Sequence, residues 1–395
     1  MDYIQEMIII LDRELVDYEF EDIKNVIYLN IASSAIPPRC VKTAYFNYIE
    51  NQIKTYGKTA ISDGRRVLYS AKENIAKLIN ADPSEIGFVK NTAEGIGIIA
   101  NGFPFKKGDN IIVCDQEFPS AILAWINLQH KGVEVRTVTF KEGNILIKDI
   151  VNRIDKNTKA VVISAVQFTT GFYIDLHHLG DVCRKNDILL IVDGIQAVGR
   201  LDIDVKKMNI SYLACGGFKG LLSTFGVGFV YCDKSIVKDI IPLSASHLNT
   251  KYNYNPPQMD YDFSEIEWHE DSRRFEAGHL NYAGIAAINE ASKLINRLGI
   301  LEIERHIFEL QKELISLINE LPLKIMTPLK EENYSGIFSI YYPKEKDNEI
   351  KNIMDKYNIV ATVHNGYIRL GINFYNTKEQ IIKVAEAFKE MSKLV

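Results

Sequence analysis

Between residues 85 and 232, short β-branched runs alternate with amphipathic stretches, and this alternation constrains the fold more than any other feature of the chain. Strand, helix and strand at that spacing form βαβ units, which build a parallel sheet covered on both faces. The strands read as Ile86–Val89, Asn110–Cys114 and the segments 133–138, 159–164, 187–192, 211–215 and 226–232. Continuous apolar runs such as Ala160-Val-Val-Ile163 fit strands buried on both sides. Segments 38–56 and 66–79 read as helices entering this block, the second stopped by Asn80-Ala-Asp-Pro83.

Beyond the block, 244–274 is polar, aromatic and Pro-interrupted, as in Asn249-Thr-Lys-Tyr-Asn-Tyr-Asn-Pro-Pro257. Long loops of this kind cover sites, and Trp268, His269, Arg273 and Arg274 are expected to shape substrate choice. A helical segment follows over 283–320, then strands near 324–326 and 337–342, a helix over 348–357, strands near 360–363 and 367–370, and a last helix from Thr377. The expectation is an α/β protein in two parts. A large domain over 30–282 holds a seven-stranded, mainly parallel sheet, and 1–29 joins 283–395 in a smaller α+β domain.

Composition narrows the partners. The chain has 46 basic and 51 acidic residues, a net charge of −5, and no stretch dense in Lys and Arg, which argues against nucleic acid. Its apolar runs stop short of the ~20 residues of a membrane helix. The N-terminal apolar run has acids on both sides and lacks a basic leader, so a cytoplasmic location is expected. Five widely spaced cysteines with no CxxC indicate neither a disulfide framework nor a metal site.

Two positions carry the chemistry. Leu189-Leu-Ile-Val-Asp193-Gly-Ile-Gln196 puts an acid at the carboxyl end of a buried strand, the edge at which open α/β sheets bind ligands. After the next strand, Ala214-Cys-Gly-Gly-Phe-Lys219-Gly surrounds one lysine with small residues, as a Schiff-base lysine requires. Pyridoxal phosphate needs both, a lysine for its aldehyde and an acid to keep its pyridine nitrogen protonated. Its phosphate needs a cradle, and Lys90-Asn-Thr92-Ala93-Glu-Gly-Ile-Gly97 ends a strand and opens a helix. Phe118, in Glu117-Phe-Pro-Ser120 after another strand, offers a face for the ring. The plainer readings are a helix cap for Asp193, a solvated Lys219 and a core Phe118.

With these blocks in place the chain resembles the class V aminotransferase family of pyridoxal-phosphate fold type I, in the branch holding cysteine desulfurases, kynureninases and isopenicillin-N-epimerase-like proteins. The resemblance runs from Tyr28-Leu-Asn-Ile-Ala-Ser-Ser through Arg274-Phe-Glu-Ala-Gly278 to Arg369-Leu-Gly-Ile-Asn-Phe-Tyr-Asn-Thr377. It implies Lys219 as the lysine bound to the cofactor and Asp193 at the pyridine nitrogen. It also implies Gln196 and Gln167 near the phenolic oxygen, Thr92 and the Ala93 amide on the phosphate, Phe118 on the ring and Arg369 on the substrate's α-carboxylate. A homodimer with shared sites follows from it, with His279 standing where the family gives the neighbouring subunit's phosphate a Thr.

The departures point away from a persulfide relay. Phe118 stands where desulfurases carry His, and 359–368 has no Cys. Gly216 and Phe218 replace a Ser and a His, so a hydroxyl contact to phosphate is lost and the Gly216 and Gly217 amides are expected to replace part of it. The favoured expectation is an epimerase-like or aminotransferase-like enzyme on an α-amino acid, with a β-lyase for a cysteine-type substrate as the alternative. Two rivals remain. Gly95-Ile-Gly97-Ile-Ile-Ala100, with Asp115 downstream, matches a dinucleotide fingerprint, but its glycines fall inside a helix. The other rival is a scaffold of the same family that binds a partner or the cofactor without turnover.

Overall fold

Connector length sets the direction of every strand in the large sheet. The computed structural model describes residues 11–252 and 265–394. The first ten residues and the middle of the expected 244–274 loop lie outside the described residues. The strands are β1 (Ile27–Tyr28), β2 (Ile86–Val89), β3 (Asn110–Cys114), β4 (Glu134–Val138), β5 (Thr158–Ser164), β6 (Leu189–Asp193), β7 (Tyr212–Gly216), β8 (Gly228–Cys232), β9 (Lys324–Ile325), β10 (Ile337–Tyr341), β11 (Ile359–Val360), β12 (Thr362–His364) and β13 (Tyr367–Gly371). Seven form one sheet in the order β2-β8-β7-β6-β5-β3-β4.

Long crossovers make β3 parallel to β4 and β5, and β6 parallel to β5 and β7. Only 217–227, without a helix, joins β7 to β8, too little for a crossover, so β8 runs antiparallel to both neighbours. All the other strands end at one edge. The apolar runs are continuous because both faces are covered. Ile112, Val161, Val192 and Leu213 face one core, with helices Ala60–Leu78, Leu176–Lys185 and Tyr282–Leu298 packed over it. Ile111, Val162, Ile191 and Ala214 face the other, under helices Thr92–Gly102 and Pro119–Asn127. The sheet β12-β13-β10-β9 forms a third core with helices Ile300–Ile318, Asp347–Lys356 and Lys378–Met391.

The structure refines several expectations. The helix expected over 283–320 breaks at Gly299, whose φ of +83° suits a residue without Cβ, giving helices Tyr282–Leu298 and Ile300–Ile318. The first of these packs on helices Arg39–Lys54 and Ala60–Leu78. The strand expected near 360–363 splits at Ala361. β11 pairs in parallel with β1, whereas β12 pairs with β13. An unforeseen helix, Arg13–Glu19, is fastened by Arg13, which donates to the carbonyls of Phe374, Tyr375 and Asn376. Among the described residues no helix is long and apolar enough to cross a membrane, and no metal-binding group of His, Cys, Asp and Glu occurs.

The glycines of the dinucleotide-like motif lie inside helix Thr92–Gly102. A Cβ on Gly95 would stand 2.8 Å from Ala214 Cβ and 2.8 Å from Val230 Cγ1, so the residue lets the helix lie against β7 and β8. Gly95→Val should therefore destabilise the fold by roughly 1–3 kcal/mol through overpacking, read as a lower urea midpoint. An unchanged midpoint would show that the helix is not held by this close approach.

Candidate active site

The edge to which the strands deliver their carboxyl ends holds a cavity of about 430 Å³. Thr92, Ala93, Phe118, Asp193, Lys219 and Arg369 all line it. Asp193 is the last residue of β6, buried, and its Oδ1 accepts from Ile195 N at 3.0 Å. Burial pushes its carboxyl up to about 6, against the opposing pull of that hydrogen bond and of Lys219. Lys219 sits in the short β7–β8 connection, with Nζ 5.8 Å from the centre of the Phe118 ring and 5.7 Å from that of Phe218. Burial brings its ammonium down to about 8. Asp193 pulls it upward, and the Arg369 charge adds to the depression.

Arg369, on β13, is the small sheet's contribution. It donates to Phe168 O at 2.8 Å, Ser33 Oγ at 2.7 Å and Thr362 Oγ1 at 3.4 Å, while its buried Nε has no partner. Phe118 is 44% exposed and meets Phe168 edge to face at 5.2 Å, which leaves ring surface open to the cavity. Gln196 donates to Ala32 O at 2.9 Å. Gln167 is buried beside Phe168, with its side-chain oxygen unpartnered.

The anion cradle is more constrained than expected. Thr92 opens its helix behind Asn91, whose side chain accepts from Glu94 N at 2.9 Å. The Thr92 hydroxyl accepts from Gly216 N at 3.0 Å, which leaves its proton to donate. The Gly217 amide is engaged too, with Val227 O at 2.9 Å. The two glycine amides expected to make up for the lost hydroxyl are thus spent on holding the lysine loop, and this expectation is corrected. His279 lies elsewhere. It lines a neighbouring cavity of about 670 Å³ with Lys90, Asn91 and Glu94, its ring 5.9 Å from that of His247.

The four loop residues also lie apart from Lys219. Arg273 is paired with Asp271 at 2.9 Å, and His269 shares a separate cavity with it. Arg274 is buried and donates to Val237 O at 2.9 Å, and Trp268 bridges to Thr250.

Glu117 went unassigned in the sequence, though it precedes the Phe118 singled out there. It is buried, accepts from Ser164 N at 2.9 Å and from the Ser164 hydroxyl, and burial pushes it up to about 7. Ser164 pairs with Asp193 in the sheet register, so Glu117 ties the Phe118 loop to the strand beside that acid.

This set fits a pyridoxal group. It combines an amine of lowered basicity, a buried acid, a hydroxyl with a free proton at a helix start and an open aromatic face, while Gln167 and Gln196 stand behind the residues that line the cavity. Fold and site together define a pyridoxal-phosphate enzyme of fold type I. The family model for class V aminotransferases matches residues 27–384, and the chain belongs to that family, with pyridoxal phosphate as its cofactor. It is 28% identical over 391 residues to a probable cysteine desulfurase of Methanothermobacter thermautotrophicus, covering 94% of this chain and 96% of that protein. A cysteine desulfurase of Thermococcus onnurineus superposes with a TM-score of 0.85 at 23% identity, over 97% of this chain and 98% of the other. The cystine C–S lyase C-DES, solved with its product cysteine persulfide, gives 0.83 at 21% identity over 94% and 99%.

Only a neutral amine adds to an aldehyde, so the lowered basicity of Lys219 has a direct consequence. Capture of pyridoxal phosphate by cofactor-free protein should accelerate as pH rises through about 8 and level off above it, instead of climbing toward the ordinary lysine value of 10.5. Stopped-flow absorbance against pH measures this. Borohydride reduction and peptide mapping should place the label on Lys219, and a label elsewhere would overturn the assignment.

Proposed function

We propose that this enzyme transforms an α-amino acid through proton transfer on one face of Cα, as an aminotransferase does, without a persulfide relay. Bound pyridoxal phosphate supplies an electron sink that makes the Cα–H bond acidic. Asp193 would hold the proton on its pyridine nitrogen. The Thr92 hydroxyl and the Ala93 amide would hold the phosphate, Phe118 would cover the ring, and Gln167 and Gln196 would serve its phenolic oxygen. Arg369 grips the substrate carboxylate with its guanidinium fork, oriented by Phe168 O and Ser33. Lys219 takes the proton from Cα and returns it.

The observation that carries this reading is the inventory of the cavity wall. Among the described residues Asp193, Lys219 and Arg369 are its charged groups, and with Asp193 assigned to the pyridine nitrogen Lys219 is left as the base at Cα. A single base suits proton movement on one face. Epimerisation also needs a donor on the opposite face, and among the described residues of the wall only the weakly acidic hydroxyls of Ser33, Thr92 and Ser120 are left for it. A thiol relay lacks its thiol. Four of the five cysteines are buried, and burial pushes Cys40, only partly covered, up to about 12. The segment before Arg369 closes as a tight hairpin through Asn365 and Gly366, both at positive φ, with no extended loop to carry one.

β-Elimination from a cysteine-type substrate is the second reading. It uses the same base, and the likeness to a cystine C–S lyase favours it. We also propose a homodimer, in which the partner copy's phosphate site receives His279. The large 30–282 and small 1–29 plus 283–395 units would then move as two domains around each site.

Incubation with each common amino acid in deuterated water tests the reading. Exchange of the α-proton with retained chirality and release of a keto acid supports transamination. Pyruvate with ammonia supports elimination, and racemisation would refute the one-faced mechanism. Lys219→Ala should abolish α-exchange. Arg369→Lys should raise KM about tenfold or more, with the smaller effect on kcat. Cys40→Ser should leave turnover unchanged, and inactivation by that substitution would restore the thiol relay.

A further inference from the structure

Arg200 is a guanidinium buried to 1% exposure, and it takes no direct part in the chemistry above. It donates from Nη1 to Gln196 O at 3.0 Å, and from Nη2 to Ser335 O at 2.8 Å and Ile372 O at 2.7 Å. No carboxylate is among its interactions, and its Nε has no partner. A buried cation with no counter-charge is expensive, and a Met or Leu would fill the same space without that cost. What an apolar side chain lacks is a rigid fork able to hold carbonyls of separate segments at once.

Those segments are the ones the site is built from. Gln196 lies three residues past Asp193, and Ile372 three past Arg369. Gly220 follows Lys219, and a Cβ there would stand 3.1 Å from Arg200 Cγ and 2.2 Å from Val198 O. A Cβ on Gly336, beside Ser335, would stand 2.5 Å from Nη2. Two glycines thus clear the path of this one side chain, and it crosses from the large sheet's edge to the small sheet.

We infer that Arg200 is a positioning residue that fixes the carboxylate-binding Arg369 at a set distance from the Lys219 loop, so that gripping the carboxylate also presents Cα to the base. The inference rests on the role proposed for Arg369. It implies that loss of the fork loosens substrate capture more than it loosens the cofactor, since neither Thr92 nor Asp193 is a bonding partner of Arg200 and only the backbone carbonyl of Gln196 is.

Glycine, an amino acid with no side chain, is the probe. Its capture by holoenzyme is followed through the absorbance of the bound cofactor, and cofactor retention is measured separately by equilibrium dialysis. Arg200→Lys keeps the charge and loses the fork. It should weaken glycine capture by about tenfold while cofactor affinity changes by less than about threefold. In an Arg369→Lys background the same replacement should cost less than about twofold. An equal loss in both backgrounds, unchanged glycine capture in folded Arg200→Lys, or parallel loss of cofactor would each overturn the inference. Should Arg200→Lys and Arg200→Gln both fail to fold, hydrogen exchange on the wild-type holoenzyme decides. Glycine should slow exchange in 196–201 and 335–337 together with 367–372, and protection confined to the last segment would refute the coupling. Unchanged glycine capture in Arg369→Lys would instead sink the role assigned to Arg369.

Discussion

The site depends on burying opposite charges at one edge of the sheet. Burial raises the Asp193 carboxyl and lowers the Lys219 ammonium, so the two groups approach each other in proton affinity, about 6 and about 8. In water the same side chains would sit far apart, a fixed anion and a fixed cation. Here burial does most of the lowering for the lysine, and the positive charge of Arg369 adds to it. The sheet makes this tolerable because its strand ends supply fixed dipoles, such as the Ile195 amide on Asp193. Cores on both faces hold the edge rigid.

The parts of this that were legible in the sequence share one property: they depend on residue type at a periodic position. The strands declared themselves because a two-faced parallel sheet demands continuous apolar runs. Asp193 and Lys219 stood out because their strands end where ligands sit. The contacts that orient the reacting groups left no such trace. Arg369 is set by a carbonyl of Phe168 and a hydroxyl of Ser33, and Arg200 by three carbonyls. A carbonyl belongs to every residue, so its role emerges only when remote segments meet. The break at Gly299 was readable in principle, since a glycine followed by a fresh apolar repeat is a helix stop.

The lysine loop illustrates how backbone pairing overrides a local substitution argument. With glycines at 216 and 217, free amides near the phosphate were a reasonable expectation. The connection to antiparallel β8 claims them, one bonded to Val227 O and the other to the Thr92 hydroxyl. These bonds make the lysine's position a property of the sheet and of the helix start together. The cradle gains a Thr92 oriented from behind and loses two donors. Asn91 lines both this cavity and the one holding His279.

Relatives and solved structures that bear the name cysteine desulfurase share this fold. Under the proposed reading, this chain and those proteins would part after proton removal from Cα. What happens next depends on which groups can reach the atoms beyond Cα, and in this chain those groups are few. The hairpin from β12 to β13 is closed by a two-residue turn through Asn365 and Gly366, and this turn carries no cysteine. Phe118 presents a ring that can stack but cannot donate a proton to a leaving group. If Lys219 is the base, as proposed, the fates open to the substrate would begin on one face of Cα. The choice between returning the proton and expelling a β-substituent then lies in the substrate's own leaving group more than in the protein.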